Sequence, residues 1–185
     1  MSQKNGINCG LTATREKPTM VNQIETRLIS INVRVHTANT VITVAADDKM
    51  MATMILAKSN QQTNKLPEAL VSYKAVIEIG KSEFSAEAQF RVAEILLLQN
   101  KLPEAEKAGF EVIKRYGSYE YWVTRSYILL GDVYAAQKDY FNAEATYKSV
   151  VENTTIVELK KMAENKLAAI IAEKNKTNKV EQTEQ

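Results

Sequence analysis

The chain has 185 residues, 45% of them apolar and 25% charged, with 24 basic and 22 acidic side chains for a formal net charge of +2. That balance excludes a wholly disordered chain, a collagen-like chain and a disulfide scaffold, and it offers no bulk attraction for nucleic acid or acidic lipid. No stretch approaches about 18 uncharged apolar residues, so neither a transmembrane helix nor direct membrane insertion is expected. The totals hide an asymmetry, because the one Trp, eight Tyr and four Phe all lie at or after Tyr73.

Residues 1–48 form an N-terminal segment set apart by that absence. Met1 to Lys17 is polar, is broken at Gly6 and Gly10 with Pro18 following, and is expected to lack fixed structure. No apolar run of about 7–15 residues follows the first lysine, so the start does not read as a signal peptide. The single cysteine, Cys9, has no partner for an internal disulfide and reads as a plain exposed thiol. From Ile29 the pattern alternates strictly: Ile29, Ile31, Val33 and Val35 are apolar, with Ser30, Asn32, Arg34 and His36 between them. Period 2 with β-branched residues predicts a strand, and Thr37-Ala38-Asn39 turns the chain toward a second run, Thr40 to Val44. A lone hairpin of this kind is marginal in water. His36 falls on its polar side and reads as a solvated imidazole.

Residues 49–174 contain an internal repeat. Asn64-Lys65-Leu66-Pro67-Glu68-Ala69 recurs letter for letter as Asn100-Lys101-Leu102-Pro103-Glu104-Ala105, 36 residues later. Lys138-Asp139-Tyr140-Phe141-Asn142-Ala143 is a looser third copy, its alanine 38 residues beyond Ala105. Before each copy, apolar residues recur three and four apart, as in Val92, Ala93, Leu96 and Leu97 or Tyr127, Leu130, Gly131 and Tyr134. After each copy they do so again, as in Ala69, Tyr73, Val76 and Ile77 or Ala143, Tyr147, Val150 and Val151. Each unit is therefore helix, short turn, helix. Pro67 and Pro103 suit the first position of the second helix and push Leu66 and Leu102 out of the helical region. Ala57, Ala93 and Gly131 share one position on the first helix; Ala69, Ala105 and Ala143 share one on the second. A helix-interior Gly costs about 1 kcal/mol relative to Ala, so Gly131 implies a contact too tight for a methyl group. A final helix, Ile156 to about Lys174, carries Leu159, Met162, Ala163, Leu167 and Ile170 on one stripe and reads as a cap. Residues 175–185 read as a disordered tail.

Leu130-Gly131, Tyr134, Ala143 and Tyr147, with Tyr127 in place of the first tryptophan, resemble the tetratricopeptide repeat (TPR) signature. The stretch from Ala86 to Ile170 is also similar to the C-terminal repeats of envelope-associated TPR proteins of Bacteroidetes-type bacteria. The resemblance implies an all-α, right-handed superhelix of about three helix-turn-helix repeats plus a C-terminal capping helix. Departures from the pattern are periods of 36 and 38 rather than about 34, a missing terminal proline, and Gly109 where a large apolar residue is usual. Phe110 is expected to supply the volume lost at Gly109, and the extra residues to sit around Gly117-Ser118-Tyr119-Glu120. The resemblance further implies which first-helix residues face the concave side: Met51, Met54 and Lys58; Glu87, Phe90, Glu94 and Leu97; Arg125, Ile128 and Asp132.

Little here points to catalysis. One histidine and one cysteine do not make a zinc site or a Cys–His pair, the six glycines form no phosphate loop, and no cofactor is implied. Paired acids such as Glu104 with Glu106 read as solvated helix faces. Three acids against two bases on the implied concave face do not favour a nucleic-acid backbone. The expected function is a non-catalytic scaffold binding a protein or peptide partner through Lys58, Phe90, Glu94, Leu97, Arg125, Ile128 and Asp132. The alternative is a structural subunit whose repeats stack on other repeats or self-associate, motivated by Met50, Met51, Met54, Ile55 and Leu56 on the first repeat. Trp122 is expected to pack between units. A start at Met1 implies the cytoplasm and the resemblance implies the cell envelope, so the compartment stays open.

Overall fold

The computed structural model describes residues 46–183, with side chains described for residues 48–176. The expected hairpin, Cys9 and His36 lie outside the described residues. The chain divides into two units between Thr43 and Val44. Among the described residues the fold is all-α: α1 (Ala46–Gln62), α2 (Leu66–Ile79), α3 (Glu83–Leu98), α4 (Leu102–Arg115), α5 (Glu120–Ala136), α6 (Tyr140–Asn153) and α7 (Val157–Thr183).

Consecutive helices pack on one another throughout. In addition α1, α3, α5 and α7 lie side by side as one layer, whereas α2, α4 and α6 touch the odd-numbered helices and not each other. This is the packing of a helical repeat, two layers thick.

The turns within the three pairs are copies of one geometry. Asn64, Asn100 and Lys138 all adopt left-handed backbone, with φ of 58°, 57° and 62°. At each, two backbone bonds close the preceding helix. Asn64 N donates to Gln61 O (3.0 Å) and Lys65 N to Asn60 O (2.8 Å); the same pairs recur at Asn100 and Lys101, and at Lys138 and Asp139. These bonds satisfy carbonyls that the helix end leaves open, and asparagine tolerates the left-handed region better than most residues. The following residue then caps the next helix: Ala69 N donates to Lys65 O and Ala105 N to Lys101 O, both at 2.9 Å. These bonds set the helix starts at Leu66 and Leu102, one residue earlier than the prolines predict. Pro67 and Pro103 thus stand second in their helices, where a backbone N–H has no partner in any case.

The small residues do what their repetition predicts. Ala57, Ala93, Ala69, Ala105 and Ala143 are completely buried. A Cβ on Gly131 would lie 2.8 Å from both Cδ1 and Cζ of Tyr147, so the Tyr147 ring occupies the volume a methyl group would need. At Gly109 the expectation fails. Phe110 is 46% exposed and fills nothing. Neighbouring helical residues point about 100° apart, so Phe110 cannot aim where residue 109 does. Leu130 of α5 fills the gap instead, its Cδ2 standing 3.1 Å from where a Gly109 Cβ would be.

Three other expectations shift. The helices begin at Ala46 rather than Lys49, with the acidic Asp48 in the first turn, where a helix N-terminus favours negative charge. The two residues that lengthen the last period are divided, one in the turn 116–119 and one in α5, which has 17 residues against 16 in α3. The segment 175–183 continues α7 to Thr183 instead of leaving it at Lys174, since no Gly or Pro interrupts it. Within α7, Leu159, Ala163 and Ile170 are buried as expected, while Met162 is exposed. Trp122 is buried between units, its ring 5.6 Å from Phe90 of α3 and 5.0 Å from Tyr121.

Gly131→Ala tests the close approach. Helix propensity alone would raise stability by about 1 kcal/mol, but overpacking against Tyr147 costs about 1–3 kcal/mol. A lower urea midpoint than wild type, followed by circular dichroism, is the expected outcome; a higher one means the ring moves aside freely.

Candidate functional site

The odd-numbered layer carries the residues singled out in the sequence, and the structure sorts them into two groups. Phe90 and Ile128 are buried, as is Met54, so the expected apolar strip is core and not surface. Among the described helices α3 and α5 are each packed by an even-numbered helix before and another after, which leaves them only a narrow stripe in contact with water, whereas α1 and α7 have one such neighbour each. Lys58, Glu94, Leu97, Arg125 and Asp132 are partly exposed and lie on that stripe. Met51 and Ile55 extend it at the α1 end, both about two-fifths exposed.

The polar members are tied into a network across helices. Lys58 Nζ of α1 donates to Glu87 Oε2 of α3 at 2.9 Å. Arg91 bridges two carboxylates on its own helix, donating from Nη1 to Glu94 Oε2 (2.9 Å) and from Nη2 to Glu87 Oε1 (3.4 Å). Arg125 of α5 stands 3.9 Å from Glu94 and lies over the Phe90 ring, 4.5 Å from its centroid. Gln61 Nε2 donates to Glu94 Oε2 (3.1 Å), and Tyr73 Oη donates to Gln61 Oε1 (2.6 Å), carrying the network into α2. Farther along, Lys166 of α7 and Tyr147 of α6 both donate to Asp132 Oδ1, at 2.5 and 2.6 Å. Arg91, Gln61 and Lys166 join the network without being among the residues the sequence singles out. Arg91 was findable, since it sits four residues after Glu87 and three before Glu94, the spacings at which helix side chains meet.

Charge and burial are coupled here. Glu87 is buried and has two cations on it, so its ion pairs offset a desolvation that an unpaired carboxylate could not bear. Burial pushes the Tyr73 hydroxyl up to about 12, against the pull of Arg91 and with the help of Glu87 and Glu94. Burial likewise raises Tyr147, aided by its bond to Asp132. Most of these groups are half-buried, so the network positions helices more than it stabilises them.

Among the described residues no group of three or more His, Cys, Asp or Glu is placed to hold a metal ion, and no helix is long and apolar enough to cross a membrane. No family model matches the chain, and no curated protein matches it.

The sign of the tyrosine effect is testable. A hydroxyl whose folded pKa lies above its unfolded value near 10 adds stability that is complete below pH 10 and is lost as pH rises toward 12. Tyr73→Phe is expected to be less stable than wild type at pH 8 and to show a shallower loss between pH 10 and 12. Urea midpoints of both proteins across that range check it, and parallel curves would refute it.

Proposed function

We propose that the chain is a non-catalytic TPR-like scaffold whose odd-numbered helices bind a segment of a partner protein. The observation that carries this reading is the layering. The odd-numbered helices touch in series while the even-numbered ones stand apart, which curves such a stack toward its odd side. That side presents Met51 and Ile55 next to a row of paired charges, Lys58, Glu94 and Arg125, and then Asp132 with Lys166. Apolar anchors beside fixed charges suit a peptide or helix of mixed character better than a nucleic-acid backbone. The resemblance to TPR proteins, including those of the bacterial envelope, supports a binding role and does not name the partner.

A second reading, repeats stacking on other repeats, is favoured by one residue. Leu56 is 55% exposed at the position where Val92 and Leu130 are buried. Its neighbours weigh against that reading. Where α3 buries Ser85 and Ile95, α1 exposes Lys49 and Ser59, a polar finish suited to the end of a stack.

A photocrosslinking residue at position 55 in the full chain, in the native cell, is expected to capture a discrete partner. The same residue at position 141, where Phe141 is exposed on α6, is expected to capture none. Equal capture at both positions would remove the inner-surface reading. A mass by light scattering that rises with concentration would favour stacking.

A further inference from the structure

The three helix pairs share a hollow, bounded by the first turns of the odd-numbered helix and the end of its even-numbered partner. Two of the three are filled from within. In the first pair the filler is Met50, which is buried and places its Cε 3.7 Å from where a Gly80 Cβ would stand. In the second pair it is Tyr116, which follows α4 at the position of Gly80 and is 1% exposed. In the third pair the equivalents of Met50 and Tyr116 are Thr124 and Thr154, and neither side chain has the reach. A cavity of about 350 Å³ remains, at the lower end of the range for ligand sites.

Its walls have a definite chemistry. Val123 and Val150 supply apolar sides, and Tyr127, 40% exposed, borders it. At the matching position of the second pair Gln89 is buried and donates to Ala108 O, closing that surface (3.2 Å). Glu120 supplies the one charge on the lining, where the second pair has the neutral Ser82. Its carboxylate accepts only a long bond from Thr155 Oγ1 (3.4 Å) and has no ion pair among the described residues.

We propose that this cavity receives a basic side chain, lysine or arginine, from the bound partner. The aliphatic stem lies between Val123 and Val150, the cationic head reaches the Glu120 carboxylate, and the Tyr127 ring flanks it as a cation–π partner. A tyrosine in the manner of Tyr116 would fit the volume but leave the Glu120 charge unmatched. The proposal rests on the chain being a protein-binding scaffold, yet the cavity is tested without any partner.

The probes are the N-acetyl amides of arginine and lysine, with those of norleucine and tyrosine as controls, titrated into the full-length ¹⁵N-labelled chain. Saturable shifts of the Val123, Tyr127 and Val150 amides are expected with arginine and lysine and not with the controls. Glu120→Gln keeps a hydrogen-bond acceptor and removes the charge, and is expected to weaken binding about tenfold. Thr124→Met restores the plug that Met50 provides and is expected to abolish the shifts. The proposal is overturned by no response to either basic probe, by norleucine or tyrosine acting as strongly as arginine, or by an unchanged affinity in Glu120→Gln. If Thr124→Met fails to fold, Glu120→Gln decides alone. Probe binding without crosslinking at position 55 would remove the inner-surface reading and leave the cavity standing; the reverse outcome would do the opposite.

Discussion

The structure depends on how closely an odd-numbered helix can approach its even-numbered partner. That distance is set by two small side chains per pair, Ala57 with Ala69, Ala93 with Ala105, and Gly131 with Ala143. Completely buried alanines cost little side-chain entropy and allow the helix backbones to come close. Once the two backbones are close, large residues must find room to the sides of the contact. Tyr73, Val76, Tyr147 and Val150 do so from the even-numbered helices, and Ile95 and Val133 from the odd-numbered ones. The most crowded case is Gly131, which gives up helix propensity so that the Tyr147 ring can pass over it and reach Asp132.

That reach links packing to electrostatics. Tyr147 and Tyr73 occupy equivalent positions, and each sends its hydroxyl from an even-numbered helix into polar groups of the odd layer, Asp132 in one case and Gln61 in the other. The second pair breaks the rule. Gly109 stands in the tyrosine's place, and Leu130 fills the space. The charges on α3 are instead satisfied from the sides, by Lys58 of α1, by Arg91 of the same helix and by Arg125 of α5. The polar network and the core are therefore one system, because what the core omits at Gly109 the neighbouring helices must supply.

The repeat, its helices and its small residues were legible because each is written several times at a fixed spacing. The faces of individual helices were less so. In α3 every residue from Ser85 to Phe90 is buried, as the helix is enclosed by α2, α4, α1 and α5. A helix buried on most sides shows little amphipathic signal, so periodicity could not separate Phe90 from Arg91, its neighbour on the exposed stripe. The same limit applies to Ile128 on α5, which is enclosed by α4, α6, α3 and α7. Phe110 departs from its expected place for a different reason, since adjacency in sequence is not adjacency in space. The volume lost at Gly109 is repaid by a residue 21 positions later on another helix, and no local pattern reports that.

Repetition also changes what a departure means. In a chain without repeats, Thr124 and Thr154 would be two ordinary threonines near a helix junction. Here the first two pairs show what the position requires, a large side chain that closes the hollow, supplied once from the odd-numbered helix by Met50 and once from the far side by Tyr116. Either solution was available to the third pair. It has neither, it turns Tyr127 outward where Gln89 turns inward, and it sets a carboxylate at the rim. Four changes at one junction leave an opening with an apolar wall and a negative charge, where the second pair buries Ala86, Gln89 and Tyr116. An unfilled hollow forfeits the dispersion contacts its lining could make. A hollow that receives a partner's side chain regains those contacts on binding, and so couples occupancy of the junction to the stability of the last helix pair.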